Sequence, residues 1–172
     1  ISSMVDDINE YVAAVNRRRQ EVLPQTEIDF MHECEAKNDY ANQRYQDDVQ
    51  ILNINFVDRK QPSKLYHLGN LGGTAVYNAF QGDNEFVITG KLKDWHFRSE
   101  LPKIKVPTLL TFGEVETMPL ETARTMQKLI PNSRLVTTPD GGHHHMVDNP
   151  DVYYKHLADF IKEVEAGTFQ GE

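Results

Sequence analysis

A short apolar run near the end of the chain, VPTLLTF at Val106 to Phe112, and the strand-like stretch SRLVTTP at Ser133 to Pro139 constrain the fold most. The first is too short for a typical buried helix and lacks the alternation of a strand with one wet face, so it reads as a strand covered on both sides, and the second reads as another strand. Between them Pro119 opens a segment in which Leu120, Ala123, Met126 and Ile130 share a helical face, giving a strand, helix, strand crossover. Two buried parallel strands do not make a stable sheet, because such sheets need several strands with helices on both faces. The remaining strands must come from elsewhere.

The first half of the chain is helical in pattern. Ile8, Tyr11, Val12, Val15, Val22 and Leu23 form a stripe from Asp6 to Leu23, with Asp6 and Asp7 as caps and Pro24 as the stop. Arg17, Arg18 and Arg19 within it read as a solvated face. A second helix is expected from Thr26 to about Ala36, and a third from Asp39 to Phe56, where Ala41, Tyr45, Val49, Leu52 and Phe56 recur at spacings of three and four. The glycine-rich stretch from Gly69 to Gly90 shows no clean period and receives no assignment. The final helix is the best signalled: Asn149 as N-cap, Pro150 at the first position, an apolar face of Tyr153, Leu157, Phe160, Ile161 and Val164, and Gly167 beyond the end. It is expected to cover one face of the sheet.

Composition narrows the class. A chain of 172 residues, 39% hydrophobic and 26% charged, suits one ordinary domain with a core. Its net charge of −8 supplies no basic cluster to displace counterions from nucleic acid. No run approaches a membrane span, and ISSMVDDINE lacks the basic and apolar regions of a signal peptide. The single cysteine, Cys34, suits a reducing compartment, so a cytoplasmic location is expected. Because the first residue is Ile, an upstream part is expected as well.

A loop follows each strand: GEVET at Gly113 to Thr117 and DGGHHHM at Asp140 to Met146. In open α/β sheets ligands bind outside the strands' carboxyl ends, where a carboxylate after one strand can orient and charge-stabilise a histidine after the next. The chain order Ser, then acid, then His places a nucleophile upstream. None of Ser2, Ser3, Ser63, Ser99 and Ser133 stands in a G-x-S-x-G turn, so the nucleophile is absent from this chain. Cys34 is a poor substitute, since Glu33 and Glu35 beside it raise a thiol's pKa. Three consecutive histidines, His143, His144 and His145, also suggest zinc and a metal-binding module. Adjacent side chains diverge, however, and no second cluster has ligand spacing. Met4, Met31 and Met126 read as packing residues.

The strings VYNAFQGDNEFVITGKLKDW at Val76 to Trp95 and VPTLLTFGE at Val106 to Glu114 resemble the end of the cap and the return to the core in prolyl aminopeptidases (proline iminopeptidases) and related amidases of the α/β-hydrolase superfamily. The resemblance implies an α/β fold, the C-terminal part of an α/β-hydrolase in which a parallel sheet is flanked by helices and carries an inserted helical cap. Residues 1–4 would end a core strand, 5–95 form the cap, and 96–172 the C-terminal part of the core. In that family the acid lies two positions past the G-E dipeptide and the histidine three before a methionine, which carries over to Glu116 and His143, with Met146 matching. The family acid is usually Asp; Glu is an accepted variant. Glu114 competes for the same role, and the offset from the strand end favours Glu116. The glutamate of the N-E-F stretch, Glu85, would hold a substrate's free amine, and Thr117 stands where the family has a second amine-binding glutamate.

The implied activity is that of a serine hydrolase releasing N-terminal proline-type residues or cleaving amino-acid amides, needing no cofactor or metal. Its partner would be the N-terminal half with the nucleophilic serine, and its substrate a small peptide, amide or ester. An amidase or esterase of other specificity, and a non-catalytic binding or cyclising relative, are the alternatives.

Overall fold

The computed structural model describes residues 1–60 and 74–172. Ser63 and residues 69–73 of the glycine-rich stretch lie outside the described residues. Helix α1 (Ile8–Val22) begins at Asp7, whose carboxylate accepts the Asn9 N–H at 2.8 Å. Asp6, expected to share that role, is buried instead and bonded to the Arg98 guanidinium at 2.6 Å. Helix α2 (Gln25–Lys37) ends on Asn38 in the left-handed conformation, φ 55°. Helix α3 (Gln43–Phe56) starts later than its apolar pattern predicts, because Asn42 caps it through the Arg44 N–H at 3.1 Å. Its face of Tyr45, Val49, Leu52 and Phe56 is buried, whereas Ala41 lies before the helix and is exposed. The unassigned stretch contains a short helix, α4 (Thr74–Phe80), and 3-10 turns follow at Lys91–Asp94 and Arg98–Lys103.

Within the arginine run Arg17 is exposed as expected, but Arg19 departs from the solvated face. Arg19 is 2% exposed, bound to the Glu35 carboxylate and to the Phe86 carbonyl at 3.0 Å. It extends the buried stripe of Ile8, Tyr11 and Val15 by one helical step, and α2 supplies the countercharge that makes burial tolerable. An Arg19→Leu variant should lose about 3 kcal/mol of stability to urea, because Glu35 is left without its cation. Replacing Arg19 and Glu35 together by leucine should recover most of it. A single-variant loss under about 1 kcal/mol, the range of an exposed pair, would show that the pair is not the buried anchor described.

Strands β1 (Thr108–Gly113) and β2 (Ser133–Thr138) pair in parallel, with Thr108 opposite Ser133 and Gly113 opposite Thr138. Helix α5 (Leu120–Leu129) makes the crossover and buries Ala123 and Met126 against the core. Every residue of β1 is buried, as its unbroken apolar run predicts, while β2 is only partly covered. Val106, placed in the strand by pattern, precedes it and is 65% exposed. On the free side of β1 the first residues of the chain add a third extended segment: Ser2 bridges Thr111 in parallel, and the Ser3 N–H donates to the Thr111 carbonyl at 2.9 Å. A short helix α6 (His145–Asp148) precedes α7 (Pro150–Glu165). Asn149 occupies the N-cap position of α7, but its side chain donates to the Pro139 carbonyl instead of capping. Gly167 takes φ 67° and ends the helix region as expected. Helix α7 lies on the sheet with no residue fully buried, and Tyr154, Ile161 and Val164 are exposed. Among the described residues no helix is long and apolar enough to cross a membrane.

Candidate active site

The loops after β1 and β2 meet because Gly113 has no side chain: a Cβ there would collide with the carbonyl oxygens of Gly141 and Gly142. The chain then turns, and Glu116, 1% exposed, points back under the strand end. Its Oε1 accepts the Gly113 N–H at 2.7 Å and the Ser3 hydroxyl at 3.0 Å, and its Oε2 lies 3.3 Å from His143 Nδ1. Arg18 fixes the same turn by donating from Nε to the Glu116 carbonyl at 3.0 Å. Glu114 is exposed and accepts the Asp140 N–H at 3.1 Å. It braces the histidine loop from outside.

The His143 side chain retains 18% exposure, and its Nε2 has no hydrogen-bond partner among the described residues. Burial alone lowers its pKa, but the Glu116 hydrogen bond and the charges of Glu85, Glu116 and Asp58 outweigh it and raise the value to about 9. Burial in turn pushes the Glu116 carboxyl up, against the pull of His143, the Gly113 N–H and the Ser3 hydroxyl. The other two histidines face elsewhere. His144 Nδ1 meets the Asp58 carboxylate at 2.7 Å. His145 is fully buried between Thr138 Oγ1 at 2.9 Å and Ser2 Oγ at 3.2 Å, and burial lowers its pKa to about 4, so it is neutral. Among the described residues no group of three or more His, Cys, Asp or Glu side chains is arranged to hold a metal.

The Glu85 charge acts on His143. Tyr77 donates its hydroxyl to Oε1 at 2.6 Å, and Tyr11 Oη lies 3.4 Å from Oε2 and bonds the Glu85 carbonyl. The Tyr11 phenol is fully buried, and burial followed by the Glu85 charge raises its pKa. Thr117 is buried next to Glu116, with its side chain beside the Tyr11 hydroxyl. Beside the acid a cavity of about 230 Å³ is lined by Arg18, Glu114, Glu116, Thr117, Leu120 and Glu121. Cys34 is a buried free thiol, pushed up in pKa by burial and remote from this cluster in role.

No family model matches the chain. It is 30% identical over 158 residues to the proline iminopeptidase of Saccharolobus solfataricus, an alignment covering 90% of this chain and 51% of that protein. With the proline iminopeptidase of Flavobacterium johnsoniae the identity is 26%, over 95% of this chain and 56% of the relative. Among solved structures, proline iminopeptidase of Mycobacterium smegmatis superposes with a TM-score of 0.81 at 22% identity, covering 95% of this chain and 56% of that one. VinJ superposes with a TM-score of 0.85 at 20% identity, over 94% and 56%. The chain has the fold of the C-terminal part of an α/β-hydrolase and is similar in sequence to the proline iminopeptidases. It spans about half the length of the relatives it matches.

Within this α/β-hydrolase frame, three site contacts have no local signature in sequence. Ser3 reaches Glu116 only because residues 1–3 pair with β1. Its hydroxyl sits on the acid, not on the open nitrogen of His143. Arg18 looks like any helix-surface arginine until α1 is laid across the Glu116 turn. Asp148, 2% exposed, accepts backbone N–H groups from Gly142, Arg59 and Lys60. A buried acid five residues after the candidate histidine was its only sequence trace.

Proposed function

We propose that this chain is the cap and C-terminal core of a serine hydrolase that acts on N-terminal proline-type residues or amino-acid amides. The observation that carries the reading is the buried Glu116 carboxylate set against His143, whose second ring nitrogen has no hydrogen-bond partner among the described residues. In the mechanism a serine on the N-terminal half attacks an amide or ester carbonyl. His143 Nε2 takes the serine proton and returns it to the leaving group, and Glu116 holds the imidazole and stabilises its charged form. Water then releases the acyl group by the same proton path.

Residues 1–4 are assigned to the end of a core strand, 5–95 to the cap and 96–172 to the core. The two ends of the cap segment support this division, since Asp7 and His96 form an antiparallel bridge and Ile8 N–H donates to the Trp95 carbonyl at 3.0 Å. An inserted unit must enter and leave at one place. The groove of about 410 Å³ lined by Ile1, Ser2, Val106, Leu109, Tyr153 and Phe160, with the uncovered apolar residues of α7, suits the missing core strands. A buried free thiol fits a reducing compartment, and the cytoplasm is the location we infer.

Glu85 is assigned to the substrate's α-ammonium group, with Thr117 in the neighbouring subsite offering a hydroxyl where a second carboxylate would add charge. That exchange favours, as a second reading, an amidase or esterase with weaker demand for a free amine. The test uses the complete protein, this chain with its N-terminal half. A fluorophosphonate should label the N-terminal serine, and prolyl amide should be cleaved. Glu85→Gln should raise KM for that substrate about 10- to 100-fold, the loss of one charged hydrogen bond, with little effect on an N-acetylated ester. Equal effects on both substrates would favour the second reading; no labelling and no turnover would sink the hydrolase assignment.

A further inference from the structure

The histidine loop rests on the cap as well as on the sheet. The His143 N–H donates to the Phe56 carbonyl at 2.8 Å and the His144 N–H to the Val57 carbonyl at 3.0 Å, both at the C-terminal end of α3. One buried carboxylate then fastens the next residues of that segment to the same loop. Asp148 Oδ1 accepts the N–H groups of Arg59 at 3.0 Å and Lys60 at 2.9 Å, while Oδ2 accepts the N–H of Gly142 at 2.8 Å. Gly142 permits this closeness, since a Cβ there would stand 2.7 Å from the Val57 carbonyl oxygen and 2.8 Å from that of Phe56.

We infer that Asp148 is a positioning residue: it clamps the chain leaving α3 to the histidine loop, so that the cap fixes where His143 stands. This rests on the proposed hydrolase reading and adds a role for a residue that touches neither substrate nor nucleophile. A carboxylate is required because both of its oxygens accept. In Asp148→Asn the amide NH₂ must face either Gly142 N–H or the Arg59 and Lys60 pair, leaving donors opposed whichever way it turns. The loop is then free to drift, and a displacement of the order of 1 Å at a catalytic group costs up to about 10²-fold.

In the complete protein, Asp148→Asn should lower kcat about 10- to 100-fold while KM stays within about threefold, since substrate binding is untouched. The imidazole of His143, followed by NMR, should titrate at a changed pH in the variant, which mere loss of global stability does not produce. Gly142→Ala attacks the same contact from the other side and should give the same kcat-selective loss. A folded Asp148→Asn protein with wild-type kcat and an unmoved His143 titration overturns the inference. Amide exchange in the unaltered protein decides if neither variant folds. The Gly142, Arg59 and Lys60 amides should exchange in step, and Gly142 exchanging at least about tenfold faster than the other two would mean that the clamp does not act as one unit. Absence of fluorophosphonate labelling in the wild type would count against the hydrolase reading alone, because the exchange result reports the clamp without any catalysis.

Discussion

His143→Gln in the complete protein is expected to lower kcat by about 10⁴- to 10⁶-fold with a small change in KM, the range seen when a triad base is removed. His143 is the imidazole whose Nδ1 faces the buried acid while its Nε2 has no hydrogen-bond partner among the described residues. Glutamine fills similar space but has no group that both takes and returns a proton near neutral pH, so the nucleophile would stay protonated. The residual rate would come from binding and from oxyanion stabilisation. The same change at His144 should cost less than about tenfold, because that ring faces Asp58 and not the acid of the pair. Burst-phase kinetics with an activated ester would measure both variants. A His143→Gln protein retaining more than about a hundredth of wild-type kcat would remove this histidine from the role of base.

Glu116→Gln should cost about 10⁴-fold in kcat, as expected when the orienting acid becomes an amide. The structure dictates which way the amide turns. Oε1 accepts two donors, the Gly113 N–H and the Ser3 hydroxyl, so the glutamine carbonyl must take that place. Its NH₂ then faces His143 Nδ1 and donates to it, which puts the ring proton on Nε2. The nitrogen that should accept the serine proton is already occupied.

The pH dependence separates this from a simple loss of charge. In the wild type the His143 pKa is raised to about 9, so kcat/KM should climb as pH rises through a value above the ordinary 6.5 and the base becomes neutral. Without the Glu116 hydrogen bond and charge, burial remains and pulls the value down, so the limb should move to lower pH even though the plateau is lower. Stability follows the same linkage. A histidine whose pKa is raised on folding contributes stability that is fully present below about 6.5 and is lost as pH rises through about 9. The stability gap between wild type and Glu116→Gln should therefore narrow across that window. An unshifted limb together with a constant gap would mean that Glu116 and His143 are not coupled.

Much of the fold is legible because local chemistry and long-range packing agree. Pro24, Pro150 and Gly167 end or start helices for backbone reasons that no neighbour can change. The apolar faces of α3 and α5 follow from helical period. The run TLLTF is buried throughout, and Leu109, Leu110 and Phe112 supply the apolar surface that drives it. The order strand, acid, strand, histidine pointed to Glu116 and His143, and the offset from the strand end favoured Glu116 over Glu114.

Other features depended on partners distant in sequence. Asp6 and Asp7 look equivalent as caps, but only one can face the helix N-terminus, and Arg98 claims the other. Arg19 reads as a surface charge until Glu35 arrives from α2. Three adjacent histidines carry the same letter, yet one meets a carboxylate under β1, one meets Asp58 beyond the end of α3 and one is sealed between Ser2 and Thr138. Sequence by itself determined the element types, the two strand-end loops and the residue types able to hold and move a proton, since these rest on backbone geometry and side-chain chemistry. Tertiary structure alone decided which charges are buried and that Ser3, Arg18 and Asp148 support the pair. Desolvation and hydrogen-bond satisfaction are properties of an assembled environment, and no single segment of chain carries them.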